Sequence, residues 1–396
     1  MSSLTGKSLN PVMNRRSVIA SAAGLGAMSI LAGCSSNGGD SGSASGDASF
    51  KIGTIGPLTG ANASYGKSVT QGVELGCKDF STKELPLASK AEDDQADGEK
   101  AVNAYNTMMD NGMQVLVGPT TTGASIAVAN ACYNDRTFML TPSASSTDVT
   151  AGKDNVFQVC FTDPNQGVSA ADYMAENFAG AKVAIIYRND DAYSQGIRDA
   201  FVKEATDKGA FEVVYQGTFT NDTASDFSVQ LAGAQNAGAD LVFLPIYYQP
   251  ASIIFSQAKA MGYAPTFFGV DGMDGILTMP GFDASLAEGL MLMTPFSATD
   301  EANQAFVDAY TAAYSTEPNQ FAADAYDCVY ALKLALETAG CTPDMSNEEI
   351  CDALVSAFQS LTFDGLTGTG ATWSAEGAVT KDPTVVVIKD GKYVNV

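Results

Sequence analysis

The chain has 396 residues, 45% of them apolar, enough length for two domains with a sizeable buried core. Its formal charge is −24 and it contains no histidine. The acidity argues against nucleic acid and anionic lipid headgroups as partners. The missing imidazole excludes Ser-His-Asp and Cys-His catalysis and removes the commonest metal ligand.

In chain order, Arg15 and Arg16 precede an uncharged apolar stretch, Ser17–Gly33, that closes on Leu31-Ala32-Gly33-Cys34. A basic start, an apolar middle and small residues before a thiol read as a secretory signal over residues 1–33, cut so that the mature chain begins at a lipid-bearing Cys34. The stretch is too short and too rich in Gly and Ala for a membrane-spanning helix. The arginine pair leaves general secretion and twin-arginine export both open. Residues 34–49 then form a tether, because Ser35–Ser49 holds only Ser, Gly, Ala, Asn and Asp. The expected place is the extracytoplasmic face of a bacterial membrane, held there by lipid.

From Phe50 onward strand and helix patterns alternate. Strands are expected over Lys51–Ile55, Gln114–Val117, Phe138–Leu140, Val183–Tyr187, Phe211–Tyr215 and Asp240–Leu244. Helices are expected over Ser68–Phe80, Glu99–Asn111, Ala124–Asn134, Val168–Phe178, Gln195–Lys208, Phe227–Asn236 and Ala251–Met261. The strands are apolar with little alternation, as when helices cover both faces of a parallel sheet. Gly112, Gly209 and Gly238 punctuate helix ends. Further helices are expected over Asn303–Tyr314, Phe321–Ala339 and Asn347–Gln359, then a hairpin over Thr384–Lys389 and Lys392–Val396 about Asp390-Gly391. Two βαβ groups sharing a final helical block predict two lobes joined by more than one crossing, hence a hinge.

Cysteine usage carries no CxxC pair, so neither a zinc nor a redox motif is supported, and no metal or cofactor is expected. Cys77, Cys132, Cys160 and Cys328 sit among apolar neighbours and read as core; Cys341 and Cys351 flank a short loop and are a possible disulfide. Gly60–Ser68 resembles a phosphate-binding loop, but five residues separate its glycines where the cradle needs four.

Several segments together resemble the leucine/isoleucine/valine-type solute-binding proteins of ABC importers. They are Ile52–Gly60 followed by Tyr65-Gly66, Glu92–Gln95, Val117–Pro119, Leu140–Ser145, Asp226–Ser228 and Phe363–Gly368, in the family's order from Phe50 to Val396. The resemblance implies a type I periplasmic-binding-protein fold: α/β, two lobes, each a mostly parallel sheet flanked by helices, with a hinge of three crossovers. Lobe 1 is expected to hold residues 50–161 plus 295–362, and lobe 2 residues 162–294 plus 363–396. The implied function is not enzymatic. A monomeric receptor would take a free amino acid, branched-chain by kinship, into the interlobe cleft and deliver it to a membrane permease and its ATPase. An amide- or urea-type ligand, or a sensory role, is the alternative.

The resemblance also assigns site residues. Thr122, Ser143 and Ser145 match α-carboxylate positions, with Ala144 between the last two. Residues ending a parallel strand and opening a helix suit an anion in any case. Asp271, after an expected strand ending at Val270, matches the acid that faces the ligand ammonium. Tyr65, Tyr193 and Tyr247 match side-chain-facing positions, Tyr65 standing where a branched-chain binder can have Trp; Tyr248, adjacent, stays open as a further lining residue. The family's disulfide in lobe 1 has no counterpart, since neither Asp93–Asp97 nor Thr120–Thr122 contains Cys. That edge of the pocket is expected to be held by packing alone.

Overall fold

The structure, a computed structural model, describes residues 49–396; the signal segment, Cys34 and the tether up to residue 48 lie outside the described residues. Strands β1 (Phe50–Gly56), β2 (Leu87–Asp93), β3 (Val115–Val117), β4 (Phe138–Thr141) and β5 (Val156–Gln158) form a parallel sheet in the order β2-β1-β3-β4-β5. Strands β6 (Lys182–Arg188), β7 (Glu212–Phe219), β8 (Leu241–Leu244), β9 (Thr266–Gly269), β10 (Met291–Thr294), β11 (Thr384–Lys389) and β12 (Lys392–Asn395) form the second, ordered β12-β11-β10-β9-β8-β6-β7. Here β11 runs antiparallel to β10 and β12.

Strand residues serve the two faces in turn. In the first sheet Ile55, Leu116 and Met139 pack against α2 (Gly98–Asp110) and α3 (Thr122–Asn134). Val115, Val117, Phe138 and Leu140 pack on the other face, against α1 (Ala63–Phe80), α9 (Gln320–Ala339) and α10 (Asn347–Phe358). In the second, Val183, Ile185, Phe243 and Phe268 meet α4 (Asp163–Asn177) and α5 (Ala192–Lys208). Ala184, Ile186, Val242 and Leu244 face α6 (Ser228–Asn236) and α7 (Tyr248–Met261). With both faces covered, the strands read as continuous apolar runs. Helix α1 lies close on α9 because Gly72 has no side chain; a Cβ there would sit 2.2 Å from the Ala322 carbonyl oxygen.

The expected helices all form, several starting early, α1 and α4 by five residues. Three strands, β2, β5 and β10, were not among the expected runs, and two show why. Polar Lys90, Glu92 and Asp93 mask β2, an edge strand, while β5 has only three residues. The chain passes between the sheets after β5, after β10 and between α10 and β11, with α8 (Gln304–Tyr314) and α9 returning to pack on α1.

The stretch 363–379 bonds to the first sheet and to α9. The Trp373 indole N–H donates to the Gln158 carbonyl at 2.7 Å, and the Gln158 N–H to the Gly377 carbonyl at 2.9 Å. Further along this crossing, Lys381 Nζ donates to Asp324 of α9 at 2.8 Å and to the Thr367 hydroxyl at 2.5 Å, with the ion-pair side chains 2% and 3% exposed. Asp327 accepts from the Leu366 and Thr367 N–H groups, both at 2.9 Å.

Cys341 and Cys351 are not bridged. Cys351 is buried beside Asn155 and Cys132, and burial pushes its thiol up to about 12. The pocket edge without the family's disulfide is held by more than packing. Asp93 accepts from the Leu58 N–H at 2.8 Å, the Gln95 N–H at 3.0 Å and the Thr59 hydroxyl at 2.5 Å. Burial raises this carboxyl, but those donors outweigh it and hold it below its usual range. No helix among the described residues is long and apolar enough to cross a membrane.

Candidate functional site

The first-lobe wall is built where β3 gives way to α3. Gly118 has φ +129°, open to glycine, and a Cβ there would press to 2.7 Å from the Ile55 carbonyl oxygen. Thr121 is the N-cap of α3, yet its side chain makes no cap bond. The N–H groups of the first helical turn have no acceptor within the helix. The buried hydroxyls of Thr121 and Thr122 are also unpaired. Donors and a helix N-terminus thus converge on one spot, the arrangement that binds a carboxylate. The Thr141 hydroxyl donates to the Pro119 carbonyl at 2.8 Å, locking the turn after β4 onto the turn after β3 and bringing Ser143 to the same cleft.

Ala144 and Ser145 do not line that cleft. Gln158 Nε2 donates to the Ala144 carbonyl at 2.7 Å and the Asp163 N–H to the Ser145 carbonyl at 2.9 Å, so the turn folds back into the interior. The Ser145 side chain lies beside Asp163 instead.

The second-lobe wall carries Asp271, in a 3-10 turn following β9 and 4% exposed. The Tyr193 hydroxyl donates to its Oδ1 at 2.5 Å, and its backbone N–H donates to Gln166 Oε1 at 3.1 Å. Burial pushes the Asp271 carboxyl up to about 7, against the downward pull of Tyr193 and Gln166. Tyr193 stacks on Tyr247 with ring centroids 4.8 Å apart.

Tyr65, Thr120, Thr121, Thr122, Ser143 and Phe321 from one lobe and Tyr193, Tyr247, Asp271 and Gly272 from the other line a narrow cavity of about 10 Å³, so a ligand enters only when the lobes part. Contacts between the walls show a closed cleft: Tyr65 hydroxyl to Gly272 carbonyl at 2.5 Å, and Gln320 Nε2 to Asp271 carbonyl at 2.9 Å. Tyr248 packs edge-on against Tyr65 at 4.7 Å, behind the lining. Phe321, Gly272, Gln166 and Asp163 escaped the sequence reading. Asp163 is buried with neither carboxylate oxygen paired, and burial drives it well up. Asp163-Pro164 looks like any helix start, so only the buried setting distinguishes it.

Two α/β lobes closed on a small polar-ended cavity define a solute-binding protein. Residues 49–392 match the model of the periplasmic binding protein family, and the chain belongs to that family. The Leu/Ile/Val-binding protein homolog 3 of Brucella melitensis is 32% identical over 305 residues, 75% of this chain and 81% of the relative. The leucine-, isoleucine-, valine-, threonine- and alanine-binding protein of Pseudomonas aeruginosa is 26% identical over 326 residues, 81% and 84% of the two chains. Among solved structures, the branched-chain amino acid transporter substrate-binding protein of Streptococcus pneumoniae, in complex with isoleucine, superposes with a TM-score of 0.76 at 26% identity. That match covers 88% of this chain and all of its own.

Proposed function

We propose that this chain is the extracytoplasmic receptor of an ABC importer and that it binds a free branched-chain amino acid between its lobes. The observation that carries this is the pairing of opposite poles. Unpaired hydroxyls of Thr121 and Thr122 at the α3 N-terminus face, across the cleft, a buried carboxyl on Asp271. A zwitterion satisfies both walls at once, with its carboxylate on Thr121, Thr122 and Ser143 and its ammonium on Asp271. Tyr65, Tyr193, Tyr247 and Phe321 offer rigid area to its side chain. Contact with both lobes favours the closed form, which a permease and its ATPase then read. The lobes in this reading are residues 50–161 with 295–362 and residues 162–294 with 363–396, the stretch 363–379 riding on the first. The chain does no bond chemistry and acts as a monomer.

Leucine, isoleucine and valine, each titrated into the purified protein, are expected to raise its melting temperature saturably. A ligand at a hundred times its Kd adds about 2.7 kcal/mol. Silence to all three would sink the branched-chain reading, and a response to amides alone would move the ligand to that class. The anchor belongs to the same proposal: signal 1–33, lipid on Cys34, tether 34–49. Cells fed labelled palmitate are expected to label the wild type and not Cys34→Ala, which is released from the membrane. Equal membrane retention of the variant would refute the anchor.

A further inference from the structure

Taking the two-lobed receptor reading as its ground, we propose that Tyr65 is the closure latch of the cleft: its hydroxyl ties the lobes together through the Gly272 peptide and sets how long a ligand stays. Tyr65 belongs to α1 and is 2% exposed. Its hydroxyl donates to the Gly272 carbonyl at 2.5 Å and accepts the Tyr248 N–H at 3.2 Å. Both partners belong to the opposite lobe. The Tyr248 N–H lies at the start of α7, where the helix itself supplies no acceptor. One hydroxyl therefore satisfies a donor and an acceptor on two separate elements across the cleft.

The same residue is held from its other side, through its N–H. The Gly272 N–H donates to the Tyr193 hydroxyl at 3.0 Å, and that hydroxyl donates to Asp271 Oδ1. A hydrogen-bonded chain thus runs from the ammonium-facing acid through Tyr193 and Gly272 to Tyr65 on the first lobe. Position 272 has to be glycine for this, because a Cβ would lie 2.6 Å from the Tyr193 hydroxyl. The Tyr65 ring is fixed edge-on by Tyr248 at 4.7 Å, Phe321 at 4.8 Å and Tyr247 at 5.5 Å.

These bonds engage the hydroxyl with protein, so its role differs from that of the ring, which supplies wall area. Phenylalanine at 65 keeps the wall and removes the tie. In the closed form it strands the Gly272 carbonyl and the Tyr248 N–H without partners; on opening, water reaches both. The whole penalty falls on the closed state. Since ligand enters the open form and escapes only after reopening, the change appears in dissociation more than in association.

The test is Tyr65→Phe in the full chain, followed by stopped-flow fluorescence with isoleucine. Dissociation is expected to speed up ~10- to 100-fold, the cost of leaving two buried polar groups unpaired, with association within ~3-fold of wild type. A purely structural Tyr65 would lower the melting temperature and leave the dissociation rate alone, and that result overturns the latch. Small-angle scattering of the ligand-free proteins gives a second readout that needs no ligand. A larger mean radius of gyration for Tyr65→Phe supports the latch, and identical scattering together with identical dissociation refutes it. If the wild type binds no amino acid, the functional reading fails while the scattering comparison still judges the latch.

Discussion

Asp271→Asn is expected to weaken amino-acid binding by about 2–5 kcal/mol, ~30- to several thousandfold, because it leaves a buried ammonium without its counter-charge. The amide keeps the size and the Tyr193 contact of the carboxyl, so the fold and the closed geometry survive. Isothermal titration with isoleucine reads the loss directly, and an affinity within threefold of wild type would remove Asp271 from the site. The acid also makes binding depend on pH. Burial holds its carboxyl near 7 without ligand, whereas an adjacent ammonium favours the ionised form. Below about pH 7 the ligand must displace a proton. Affinity therefore falls as the pH drops, by up to ~10-fold per unit, and Asp271→Asn abolishes that slope. The ligand-free fold responds in the opposite direction. It keeps a proton that the unfolded chain releases near the carboxyl's ordinary value of 3.8, so its stability rises as the pH falls from about 7 toward 4.

Lys381→Met is expected to destabilise the protein by about 3–5 kcal/mol, since it strands the buried Asp324 carboxylate that Lys381 contacts at 2.8 Å. Burial already pushes Asp324 up, with Lys381 and Thr367 pulling it back; without the lysine only the smaller restraint remains. The pair joins α9 to the third crossing, so the loss concentrates at the hinge. Thermal or urea melts of the single variant check this, and adding Asp324→Leu should recover most of the loss by removing the orphaned charge. An unchanged melting point for Lys381→Met would show that the lysine does not hold the crossing shut in solution.

Much of the site was legible because strand-to-helix turns mark themselves with Gly, Pro and hydroxyl residues. Thr122, Ser143 and Asp271, which the family resemblance assigned, sit at such turns or just after a strand, and all of them line the cleft. Ser145 does not line the cleft, for a reason no turn motif carries. Whether it faces the cleft depends on Gln158 and Asp163, which pull the chain inward from β5 and α4. The cysteines are similar. The spacing of Cys341 and Cys351 permits a bridge, but both thiols are free, and Cys351 packs beside Asn155 and Cys132, neighbours distant in sequence that no spacing reveals.

By itself the sequence determined the helices, most of the strands, the parallel βαβ order and the two-lobe division. Apolar runs, helix caps and turn residues act within a few positions of themselves, so one chain read end to end carries them. Only the tertiary structure decided which groups end up buried without partners and which meet across the lobes. Tyr65 and Gly272 are far apart in the chain, and their hydrogen bond exists only when two separately packed sheets close on each other. Desolvation, which lifts Asp271 and leaves the Thr121 and Thr122 hydroxyls unpaired, is a property of that enclosure and of no segment alone.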